Sequence, residues 1–148
     1  MNPQPLGNAA GSPFQHCPEC QATRRPDAKY CWLCGAALEP VAARMYAEKT
    51  GRRIRRIPML VHPDRPLFAA SIDRQILAGD DHPTAGLEIK APTWRVASEI
   101  RRKGLRKYMI YQGQLEAEVA GYPFTGFGIL DRERWDLLDF DLPHDADF

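Results

Sequence analysis

No apolar run in the chain approaches the roughly 18 residues that a membrane-crossing helix needs. Met1 to Ser12 offers neither a basic start nor an apolar stretch, so no secretion signal is expected and the cytosol is the expected location. Net charge is nearly absent as well: 20 Lys and Arg stand against 19 Asp and Glu in 148 residues. The usual argument from a strongly basic protein to nucleic acid is therefore lost. No Gly-rich phosphate loop occurs, so ATP use is not implied, and nothing has the makings of a Ser-His-Asp triad. Cysteine is scarce too, with four residues all gathered between positions 17 and 34.

With 44% apolar and 26% charged positions, the chain has the composition of a globular protein of one domain plus a small appendage. Its charge is segregated. Arg52, Arg53, Arg55 and Arg56 form one basic cluster, and Arg101, Arg102, Lys103, Arg106 and Lys107 a second, while Asp131 to Phe148 holds seven acids and two arginines. Both basic clusters suit phosphate contacts, and solvated faces explain them equally well.

Residues 1–14, rich in Pro and Gly with almost nothing to bury, are expected to be a disordered tail. Residues 15–38 form the next unit, with Cys17-Pro-Glu-Cys20 and Cys31-Trp-Leu-Cys34. Each C-x2-C turn presents two soft thiolates, and two such turns supply a tetrahedral shell of four. The stretch resembles the short bacterial zinc ribbons. A structural, non-catalytic Zn2+ on Cys17, Cys20, Cys31 and Cys34 is expected, ahead of two disulfides or a redox iron site.

From Glu39 ordinary elements begin. Pro40 suits a first helical turn, Val41, Ala42, Met45 and Tyr46 recur at helical spacing, and Gly51 ends that helix. Ile54–Val61 and Leu67–Asp73 read as paired strands, and Leu87-Glu-Ile-Lys-Ala91 alternates as a strand with one charged, half-exposed face. Thr93 caps a short helix, and a second runs from about Lys107 to Ala120 with Tyr108, Gln112, Leu115 and Val119 in its buried stripe. Phe124–Leu130 and Trp135–Leu142 form a hairpin, giving the order αβββααββ. Trp94 and Trp135 are expected in the core. His62 and His82, each before a proline, are expected to be solvated turn residues, not general bases.

One constellation carries chemistry. Glu88 and Lys90 share a strand face. Asp73 can reach that face if its strand pairs with theirs, and two converging carboxylates suit Mg2+ or Mn2+ in phosphodiester hydrolysis. Asp73…Glu88-Ile-Lys90 resembles the PD-(D/E)xK nuclease core. Tyr46-Ala-Glu-Lys-Thr-Gly51, His62-Pro-Asp-Arg-Pro-Leu-Phe-Ala-Ala-Ser-Ile-Asp73, Gly86-Leu-Glu-Ile-Lys-Ala-Pro92 and Tyr111-Gln-Gly-Gln114 resemble successive blocks of the YqaJ and lambda-exonuclease type of phage recombination nuclease.

The resemblance runs from about Glu39 to the C-terminus. It implies an α/β (α+β) restriction-endonuclease-like domain over 39–142, with 143–148 as a tail. The implied activity is that of a Mg2+-dependent deoxyribonuclease, an exonuclease of phage or prophage recombination, and the implied substrate is linear duplex DNA. The alternative is a catalytically weak nuclease-fold module that binds DNA or protein and is recruited through the ribbon. The resemblance further implies Asp73, Glu88 and the backbone carbonyl of Ile89 as cation ligands, Lys90 as a charge-offsetting group, and Gln112 near the metal waters. A single-strand annealing or other recombination protein is the implied partner, and an oligomer is allowed.

Two positions stay open at this level. Glu39 is either a carboxylate of the site or the tail of the ribbon. Gln112, an amide in an apolar stripe, must find a partner or cost about 1–3 kcal/mol, and a backbone bond would serve as well as an active-site contact. Gln114, off that stripe, has the weaker claim. Ile72 replaces the proline of the signature, and the ribbon stands where family members carry a helical segment.

Overall fold

The computed structural model describes residues 15–16, 23–24 and 32–148, with side chains described from residue 35 onward. The expected tail over 1–14 and the zinc shell of the four cysteines lie outside the described residues.

Helix α1 (Trp32–Thr50) starts well before the expected Pro40, within the stretch assigned to the ribbon, and Pro40 lies inside it. A proline there removes one backbone hydrogen bond, yet the helix continues through it, held by what it packs on. Its buried residues Ala42, Ala43 and Tyr46 cover one face of a five-stranded sheet ordered β3-β6-β7-β8-β9. The strands are β3 (Ile54–Arg55), β6 (Arg74–Ile76), β7 (Ala85–Lys90), β8 (Phe124–Asp131) and β9 (Asp136–Pro143). Only the β7–β8 pair is parallel among these. Its crossover is made by α2 (Trp94–Lys103) and α3 (Lys107–Ala120).

The two long apolar strands expected before Asp73 are broken into pieces. β4 (Leu60–Val61) and β5 (Ala69–Ala70) pair with each other in a separate small sheet, and β1 (Gln15–His16) pairs with β2 (Thr23–Arg24) in another. Prolines at 58, 63 and 66 limit the ladder, because each lacks the N–H that a strand must donate. The strand that pairs with β7 is thus Arg74–Ile76, directly after Asp73.

The alternation of β7 has a plain consequence for layering. Leu87 and Ile89 pack with Ala42 and Tyr46 on the α1 side. Glu88 faces the other way, beneath α3, and is only 1% exposed. The charged face expected to meet solvent is therefore covered. On β8 the glycines admit Tyr46: a Cβ at Gly126 would stand 2.9 Å from its Oη. Phe127 and Ile129 meet Val96, Ile100 and Met109 on the α2–α3 side.

Three further expectations are corrected. Trp94 and Trp135 are half-exposed or more, since α2 buries Val96, Ala97 and Ile100 instead and Trp135 sits at the hairpin turn with φ of 48°. The buried residues of α3 are Met109, Gly113, Gln114, Glu116, Ala117 and Val119, whereas Tyr108 and Leu115 face outward. His62 is buried at 8% exposure, its Nδ1 accepting the backbone N–H groups of Asp64 and Arg65, and the His82 side chain is also largely covered. Residues 144–148 pack back on α3: Asp145 N donates to Gln114 Oε1, and Phe148 lies on Tyr111. Among the described residues no helix is long and apolar enough to cross a membrane.

Candidate active site

In the β6–β7 ladder Arg74 stands opposite Leu87, so Asp73 falls beside Glu88 where the ladder ends. Ile89 N donates to Asp73 Oδ2 at 2.8 Å, and Asp73 N lies 3.4 Å from Glu88 Oε1. The other oxygen of Glu88 faces α3. Its Oε2 accepts from Lys90 Nζ at 2.6 Å and from Gln112 Nε2 at 2.7 Å. Asp73, Glu88, Lys90 and Gln112 are thus brought together, although 38 residues of chain lie between the first and the last.

Gln112 can reach β7 because α3 lies close on the sheet. A Cβ at Gly113 would come within 2.9 Å of both Leu142 and Phe127, so a larger residue fits there only if those side chains shift. Gln114, one residue further, is taken up structurally, with Nε2 donating to the Pro143 carbonyl.

Glu39 projects from α1 to the rim of this group. Its Oε1 accepts from Arg74 Nη1 at 2.6 Å, and the same nitrogen donates to the Asp73 carbonyl. Arg74 is buried, so Glu39 neutralises a guanidinium that would otherwise be costly. Of the basic clusters, Arg101 binds Asp136 and Asp131, Arg106 binds Glu99, and Arg52 forms a two-pronged pair with Asp141.

The electrostatics are those of crowded acids in a dry place. Burial, together with the nearby charge of Glu39, pushes the Asp73 carboxyl above its ordinary value, against the pull of the Ile89 N–H and Lys90. Burial likewise raises Glu88, with Asp73 adding to the effect and Lys90 opposing it. Burial disfavours charge on Lys90, but Glu88, Asp73 and Glu116 together outweigh it, so this amine stays an ammonium at neutral pH.

Glu116 was not singled out from the sequence. It lies one turn beyond Gln112 on α3, is 4% exposed, and receives the second hydrogen of Gln112 Nε2 at 2.8 Å on its Oε1. Its pKa is pushed up to about 8, first by burial and then by the charge of Glu88. The signal was its i, i+4 spacing from Gln112, which places both on one helix face. Among the described residues no three His, Cys, Asp or Glu side chains close around one point as a finished ligand cage. Carboxylate oxygens and a backbone carbonyl are nonetheless the donors that suit Mg2+ or Mn2+, which keep several waters and need only one or two carboxylates.

A family model for the YqaJ-like viral recombinase domain matches residues 9–123. The chain belongs to the YqaJ-like viral recombinase domain family. The match includes the four-cysteine stretch, so the family pattern does not begin at Glu39 as expected. Among solved structures, this YqaJ-like chain is similar to the alkaline exonuclease LHK-Exo from Laribacter hongkongensis, at 24% identity and a TM-score of 0.70. The same exonuclease in complex with dAMP gives 24% identity and 0.71. Each comparison covers 83% of this chain and 63% of the exonuclease, so the chain spans less than two thirds of that protein's length. The likeness establishes the restriction-endonuclease-like α+β fold for this YqaJ-like domain. No curated protein matches it.

Proposed function

We propose that the chain is a divalent-cation-dependent DNA nuclease of the exonuclease type, acting on linear duplex DNA in phage or prophage recombination. The observation that carries this reading is the end of the β6–β7 ladder, where Asp73 and Glu88 converge with Lys90 Nζ 2.6 Å from Glu88. Membership of a viral recombinase family supports it, as does a fold shared with an alkaline exonuclease that has been captured with a nucleotide.

Asp73, Glu88 and the Ile89 carbonyl would hold Mg2+ or Mn2+. When bound, that ion supplies Lewis-acid polarisation of the scissile phosphate and eases ionisation of an attacking water. The remaining work falls to the chain. The Ile89 N–H fixes the Asp73 carboxylate at the ladder end, and Gln112 fixes that of Glu88. Lys90, held as an ammonium by its acidic neighbours, offsets negative charge that builds on the phosphoryl group as the ester breaks.

Linear duplex DNA should be degraded in Mg2+ and spared in chelator. Glu88→Gln and Lys90→Ala should each lower the rate about 100-fold or more, the scale expected when a pre-aligned electrostatic group is lost. Unchanged rates in both variants would end the assignment. A wild-type chain that binds duplex DNA but never cleaves it would favour the binding module instead.

A further inference from the structure

Two tryptophans stand where burial gives them little reason to be. Trp94, at the start of α2, is 50% exposed, and Trp135, in the turn between β8 and β9, is 61% exposed. Trp135 is also held at φ of 48°, the one positive φ outside glycine among the described residues. A bulky side chain is strained in that left-handed region, and hairpin turns ordinarily put glycine or asparagine there. Exposed as it is, the indole recovers little of the strain through packing. Strain kept without burial in return points to a ligand.

Both indoles line one cavity of about 300 Å³, together with Leu38, Arg132 and Glu133. Such a volume is at the small end of ligand pockets. Cations flank it. The Arg95 guanidinium lies over the Trp94 ring, 5.4 Å from its centroid. Arg132 Nε donates to the Pro92 carbonyl at 3.0 Å, which ties the turn after β8 to the turn after β7. Glu133 is the single acid of the lining.

Its place in the fold links the cavity to the carboxylates. β7 and β8 run parallel, so the turns that follow them emerge at one end of the sheet. Trp94 comes four residues after Lys90 at that end. Leu38 adjoins Glu39, whose carboxylate meets Arg74 beside Asp73. Flat apolar rings next to guanidinium groups are what an unstacked nucleotide requires, since every base has a face to stack and every phosphate a charge to meet.

We infer that Trp94 and Trp135 form a stacking cradle for an unpaired base of the DNA strand engaged at Asp73 and Glu88. The inference takes DNA as the ligand from the reading above. Trp135 lies beyond residues 9–123 of the family match, so the family pattern does not account for the cradle.

The test compares two end-labelled single strands of equal length, one of thymidines and one of abasic sites, by anisotropy with the full chain in chelator. The wild type should bind the thymidine strand at least about 5-fold more tightly, the lower bound for one stacked base. Trp94→Ala and Trp135→Ala should each remove that preference, while Trp94→Phe, which keeps a ring, should retain most of it. Trp135→Asn should lose the preference with the melting temperature unchanged or raised, because asparagine accepts a positive φ. Equal binding of the two strands by the wild type, or a preference that survives both alanine variants, overturns the inference. In a Trp32→Phe background, iodide should quench the indole emission and the thymidine strand should protect it. Emission that iodide never reaches would show the cradle filled by the chain's own residues and overturns it too. In each case Mg2+-dependent cleavage of linear duplex DNA decides the nuclease reading separately.

Discussion

Two buried carboxylates, one at the β8–β9 turn and one on α3, are treated very differently. Asp131, at the turn between β8 and β9, is 1% exposed and fully provided for. Its Oδ1 accepts the N–H groups of Glu133 and Arg134, and Arg101 Nη2 lies 3.3 Å from its Oδ2. Glu116 is buried almost as deeply, yet it shares one amide with another acid, and its other oxygen finds no donor among the described residues. A third case on the same helix makes the contrast sharper. Glu118, two residues on, is half-exposed and surrounded by Arg65, His62 and His144. Structural acids in this fold are given donors. The acids around Glu88 crowd together and share a single ammonium and a single amide.

That difference can be broken by mutation, and the largest effect should come from Asp131. Asp131→Ala strands the turn amides and Arg101, and should cost about 1–3 kcal/mol in chemical denaturation. DNA cleavage per folded molecule should stay as it was; a chain that loses cleavage but not stability would put Asp131 among the working acids.

Glu116 comes next, and its sign is the opposite. With a folded pKa of about 8 against an ordinary 4.5, the folded chain keeps a proton there that the unfolded chain has released. Stability in chelator should therefore fall as pH rises from about 4.5 through about 8. Glu116→Gln should flatten that fall and gain at least about 1 kcal/mol at the alkaline end, one pKa unit being worth about 1.4 kcal/mol. Melting curves across that pH range decide it, and identical slopes in both proteins would refute it.

The smallest effect belongs to Arg65, whose side chain is 59% exposed where it meets Glu118. Arg65→Ala should change stability by no more than about 0.5 kcal/mol, the ordinary scale of a solvent-screened pair. A loss of several kcal/mol would show that the Glu118 group is structurally as important as the Asp131 turn.

Much of this was legible in the letters. The period-two pattern of 87–91 placed Glu88 and Lys90 on one face, and the helix over 107–120 and the final hairpin fell within a residue of expectation, because strong periodicity and flanking glycines marked them. Asp73 did meet Glu88, but through Arg74–Ile76 and not through Leu67–Ile72. Three residues make too short a pattern to register, and the prolines upstream had diverted the ladder. Periodicity assigned the stripe of α3 by counting large apolar side chains, which favoured Tyr108 and Leu115. Close packing on the sheet instead selected Gly113, Ala117 and Glu116, residues that no hydrophobic count would choose. The covering of Glu88 was invisible for the same reason, since it depends on how near α3 comes.

That nearness has its own implication. Gly113, adjacent to Gln112 and three residues before Glu116, is where an added methyl group would press on Leu142 and Phe127. A residue with no reactive atom thereby acts as a thickness gauge for the layer of buried acids: shim the helix outward there, and the amide and its acid would retreat from β7 together while every side chain around them stayed chemically intact.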